Sequence, residues 1–128
     1  MSKRIVSAIL CLALVVALAV PTLAATTLYS RINAGYRITG TATISGTTAR
    51  TTMTASAVSS TPLKPIEEYS DSSVLIRAYN SAGRQIGTAS NGGYPTLSTT
   101  CYASGSISKI VVTHTFNSTQ YGPYSLYA

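Results

Sequence analysis

The side chains able to do chemistry are few: one His, two Cys and three acids in 128 residues. Cys101 and His114 are the residue types of a thiol–imidazole dyad, in which the ring takes a proton and the thiolate attacks. Both fall inside alternating, strand-like stretches. A nucleophile there is hard for substrate to reach, and no local motif accompanies either residue. Glu67, Glu68 and Asp71 cluster as calcium ligands do, but their spacing matches no calcium loop and no glycine turn lies among them. They also fail as a glycosidase pair, because acids from one loop cannot flank a sugar from two sides. Glycine loops for phosphate and zinc-ligand spacings are absent from the sequence. The expectation is a non-catalytic protein with no cofactor and no metal.

Binding remains. Arg77 and Tyr79 on one hairpin, with Tyr121, Tyr124 and Tyr127 in the tail, are the residues that could grip a ligand by charge and ring stacking. The tail tyrosines have a second role open to them, closing the end of a sandwich with amphipathic rings.

The elements that position these residues begin after a leader. Lys3 and Arg4 precede an apolar run from Ile5 to Val20, then Pro21 and the small-residue site Thr22-Leu23-Ala24, the pattern of a cleaved signal peptide over residues 1–24. The run is about 16 residues long against the roughly 20 that a spanning helix needs, so membrane contact is expected only in transit. Leu10 stands where a lipoprotein would place a small residue before Cys11. Residues 25–128 then form one domain, expected to be secreted, with no wall-sorting signal before Ala128. Cys11 leaves with the leader, so Cys101 has no internal disulfide partner. It is read as a buried, inert thiol, since Thr99, Cys101 and Ala103 share one strand face.

Seven basic residues against three acids leave the exported part at +4. The cations stand singly, at Arg31, Arg37, Arg50, Lys64, Arg77, Arg84 and Lys109. Such spacing excludes a nucleic-acid footprint and suits solubility, edge protection or loose attraction to an anionic polymer.

Leu, Ile, Val and Phe make up less than a fifth of residues 25–128, and hydroxyl side chains abound. Disorder is nonetheless not expected, because the aliphatics recur at period two and Thr and Tyr favour strands. Thr27 to Asn33 forms a first strand turned by Ala34-Gly35. From Ile38 the even positions are apolar or small; beyond Gly46-Thr47 the phase flips to Thr51, Met53, Ala55 and Ala57. A two-residue type II′ turn produces that flip, pairing Ile44 with Ala49, Gly40 with Met53 and Ile38 with Ala55. Residues 59–73 form the longest loop, crossing between sheets. Val74 to Tyr79 and Arg84 to Thr88 make a second hairpin around Ser81-Ala82-Gly83, with Gly83 at positive φ, Ala78 facing Ile86 and Ile76 facing Thr88. This hairpin is similar to the mid-sheet hairpins of many bacterial immunoglobulin-like sandwiches; it assigns no family.

Asn91 to Pro95 is turn chemistry, Leu97 to Ala103 a strand, and Ser104-Gly105-Ser106 a turn. Ile107 to Phe116 is the most apolar strand, and its parity is ambiguous: Ile110, Val112 and Phe116 form one candidate inward set, which buries His114, and Ile107, Val111 and Thr113 form the other, which buries the base of Lys109. The first is preferred because Lys109 costs more to bury than a neutral His. Asn117-Ser118-Thr119 is a glycosylation sequon, and in a bacterial host simply a turn. Tyr121 to Tyr127 closes the chain as a last strand.

Thr39, Thr41, Thr43, Thr52 and Thr54 line the outer face of the first hairpin. Such ranks resemble the ice-binding faces of some antifreeze proteins, but one twisted hairpin supplies too few, so cross-strand threonine pairing is the reading adopted. The fold expected is all-β: a two-sheet immunoglobulin-like sandwich of about seven or eight antiparallel strands behind a signal helix. The expected function is a small secreted binding or structural module at the bacterial cell exterior, meeting an anionic cell-wall polymer, glycan or surface protein. A secreted antimicrobial acting on neighbouring cells is the alternative. A third class, a protein that polymerises through its hydroxyl-rich strands, stays open.

Overall fold

Eight strands carry the alternation read from the sequence. In a computed structural model that describes residues 25–58 and 64–128, they are β1 (Thr26–Asn33), β2 (Tyr36–Ser45), β3 (Thr48–Ala57), β4 (Ser72–Tyr79), β5 (Gln85–Gly93), β6 (Leu97–Tyr102), β7 (Lys109–Phe116) and β8 (Thr119–Tyr127). A 3-10 turn, Ile66–Glu68, precedes β4. The leader at 1–24 and part of the long loop, 59–63, lie outside the described residues.

The strands form two antiparallel sheets of four, in the orders β1-β2-β3-β6 and β5-β4-β7-β8. Buried side chains of both sheets pack into two adjoining clusters, which makes the architecture a sandwich. One cluster holds Ala42, Ala49, Ile76, Ala78, Cys101 and Ile110; the other holds Tyr36, Ile38, Met53, Val74 and Phe116 beneath Tyr29 and Tyr69. The sandwich is built on a three-strand meander followed by crossovers, a connectivity different from the antibody-type ABED and CFG sheets.

Turn chemistry sets the registers. Gly46 sits at φ 62 while Thr47 stays at negative φ, as a type II′ turn requires, and Ile44 pairs with Ala49, Gly40 with Met53 and Ile38 with Ala55. All three pairings agree with those derived from the phase flip. In the β4–β5 hairpin Gly83 has φ 80, the Asn80 N–H donates to the Arg84 carbonyl at 2.9 Å, and Tyr79 pairs with Gln85. These follow from a three-residue loop.

One residue further the expectation fails. A bulge at Ile86 moves the register, so Ala78 faces Gly87 and Ile76 faces Ala89, not Ile86 and Thr88. The cause lies in the other sheet. A side chain at Gly87 would place its Cβ 2.7 Å from Cys101 Sγ and 3.2 Å from Ala103 Cα, so only glycine admits β6 this close. The bulge delivers that glycine to the inner face.

Boundaries also shift. β5 runs on through Asn91 to Gly93, placing the turn at Tyr94–Thr96, and Ile107 is a buried loop residue ahead of β7. The inward set of β7 is Ile110, Val112, His114 and Phe116, all fully buried.

Candidate binding surface

His114 lies between the sheets, and both ring nitrogens are engaged. Thr51 Oγ1 on β3 donates to the Thr41 carbonyl at 2.8 Å, so toward His114 Nε2, also 2.8 Å away, it can only accept. Nε2 therefore carries the hydrogen, and Nδ1 accepts from the Tyr29 hydroxyl on β1 at 2.7 Å. Burial holds the ring neutral, its pKa lowered from 6.5 to about 4. Burial likewise raises the Tyr29 phenol, which keeps it a donor. Cys101 packs in the other core cluster with its thiol pKa raised by burial, and no hydrogen bond joins it to His114 among the described residues. The pair forms no dyad. The imidazole joins strands of both sheets as a polar tie.

The Tyr29 ring lies over Gly40, its cross-strand partner, where any Cβ would collide with it. Tyr121 and Tyr124 of β8 stack on the same ring, with centroids 4.9 and 5.4 Å away. Asn33 donates to the Tyr121 hydroxyl at 3.0 Å. β1 and β8 are the outer strands of their sheets, so this stack fills the space between two edges. Of the five residues considered for ligand contact, Tyr121 and Tyr124 are thereby half-buried inside the sandwich, closing it as amphipathic rings.

The other three meet on the outer face of the second sheet. Tyr79 of β4 pairs with Lys109 of β7, which pairs with Tyr127 of β8. Neighbouring strands lie about 4.8 Å apart, so the backbones of the two tyrosines stand roughly 10 Å apart with that of Lys109 between them. Lys109 Nζ sits 5.1 Å from the centre of the Tyr79 ring, a cation–π contact. Tyr127 is 69% exposed. Arg77 lies one step along β4 on the same face, beside Val111 and Thr88. Gln85 extends the row onto β5 and leads into an open groove of about 620 Å³ lined by Asn80, Arg84, Gln85, Ser104 and Ser106. The acids are elsewhere: Glu67 and Glu68 sit on the 3-10 turn, and Asp71 accepts from Ser118 at 2.6 Å, all at the far end of the sandwich.

Lys109, Arg84 and Gln85 were not singled out from the sequence. Lys109 lies thirty positions from Tyr79, and nothing local announces that β4 and β7 are neighbours.

No protein-family model, no curated protein and no solved structure matches this chain.

Proposed function

We propose that the chain is a secreted, non-catalytic binding module whose ligand is an anionic polymer of the cell exterior. The registered row Tyr79–Lys109–Tyr127 carries this reading, for it offers two ring faces to a sugar with a cation between them for a carboxylate or phosphate. Arg77 and Arg84 add charge on either side. The acidic side chains of residues 25–128, Glu67, Glu68 and Asp71, all lie in one loop away from this face. Export rests on the sequence of the leader, which precedes the described residues.

Immobilised polygalacturonic acid tests the proposal. Tyr79→Ala and Lys109→Gln are each expected to weaken retention about tenfold, and 1 M salt to remove most of it. Retention of both variants equal to that of the parent at low salt would exclude this surface. The antimicrobial alternative draws on the large exposed rings, Tyr102 on the first sheet and Tyr127 on the second. Dye release from anionic vesicles, without retention on the polymer, would favour it.

A further inference from the structure

The outer face of the first sheet has a different chemistry. Pairing across β1, β2, β3 and β6 sets Thr27, Thr41, Thr52 and Ser98 in one continuous row. Ser30, Thr39 and Thr54 form the row on one side of it, and Thr43, Arg50 and Thr100 the row on the other. The hydroxyl ladder read from one hairpin therefore spans four strands. The premise that too few ranks exist does not hold, because β1 and β6, distant in sequence, extend the hairpin on both sides.

The hydroxyls of Thr41, Thr43, Thr52 and Thr54 take part in no hydrogen bond among the described residues, whereas the inward Thr51 donates to a carbonyl at 2.8 Å. They are free to meet a ligand. Among the described residues the charges on this face are Arg37 and Arg50, both exposed. Arg37 donates to Ser30 Oγ at 3.2 Å and Arg50 to Ser98 Oγ at 3.1 Å, so each guanidinium lies along the face and joins the hydroxyl rows. Ser30 lies on β1 and Ser98 on β6, three strand spacings apart across the sheet and two residues apart along it, which separates the two guanidinium groups by roughly 16 Å. Stacking of two such faces from two copies would bring like charges together.

We infer that this face is a second ligand surface, which takes an extended acidic polysaccharide across its strands, from the β1 side to the β6 side. Sugar hydroxyls exchange hydrogen bonds with the threonine rows, and carboxylates spaced along the polymer meet Arg37 and Arg50 in charge-assisted pairs. The surface is separate from the Tyr79–Lys109–Tyr127 row, since the two sheets turn their outer faces in opposite directions. One molecule can then hold two polymer segments.

Retention on immobilised polygalacturonic acid, with neutral pullulan as the control, separates the two surfaces. In the Tyr79→Ala/Lys109→Gln background, which disables the second sheet, residual binding is expected, and adding Arg37→Gln/Arg50→Gln should lower it about tenfold further. Thr41→Val/Thr52→Val, which keeps the β-branched shape and removes two hydroxyls, should lower it about fivefold. Circular dichroism and melting temperature confirm that each variant is folded. Unchanged residual binding after loss of both arginines would overturn the inference, whatever the second sheet does. So would equal retention on pullulan, or arrest of ice growth that the valine pair abolishes while polymer binding stays intact.

Discussion

At the scale of single residues, His114 is a titratable ring fully buried between the sheets. Its folded pKa lies near 4 against 6.5 for a free ring, so between those values the unfolded chain binds a proton that the folded chain refuses. Stability is therefore complete above about pH 6.5 and falls as pH drops toward 4, by about 1.4 kcal/mol per pH unit and on the order of 3 kcal/mol in all. Urea denaturation at pH 7 and pH 4.5 measures it. His114→Gln can still donate to Thr51 and accept from Tyr29 without titrating, and it should flatten most of that dependence; an equal acid loss in the variant would place the sensitivity elsewhere. Tyr29→Phe removes the donor to Nδ1 while leaving the ring stack in place. Stranding that buried acceptor should cost about 1–3 kcal/mol in the same experiment at pH 7.

At the scale of elements, what the sequence makes legible is what neighbouring residues decide. Gly46-Thr47 and the phase flip around it set the whole β2–β3 register, and Ser81 to Gly83 set the first pair of the next hairpin. The bulge at Ile86 was not legible, since its cause is Cys101 pressing on Gly87 from a strand of the other sheet. The same limit hides the candidate site: Tyr79 and Tyr127 could each be named, but only the β4–β7–β8 order brings them into one row with Lys109 between. The inward side of β7 was legible because a neutral imidazole is easier to bury than an ammonium. Gly87→Ala should cost about 1–3 kcal/mol by overpacking. Cys101→Ala makes room beside it, so in a double-mutant cycle the second substitution should restore part of that loss. Strict additivity would show that the two residues do not press on each other.

At the scale of the whole molecule, two sheets of modest aliphatic bulk hold together through an apolar layer on both sides of one polar tie. Ile76 is fully buried in that layer. Ile76→Asp places an unpartnered carboxylate there and should unfold the protein at neutral pH, with loss of the strand signal in far-ultraviolet circular dichroism. A melting temperature equal to that of the parent would mean the inner and outer faces are assigned the wrong way round. The division of charge operates at the same scale, with the acids gathered at one end and the cations spread over both outer faces. The proposed binding rests on that division. Its most direct test is a map of backbone amide shifts on titration with oligogalacturonate. The account predicts saturable shifts at Arg77, Tyr79, Arg84, Lys109 and Tyr127; shifts confined to the Glu67–Asp71 end, or none at saturating concentration, would contradict it.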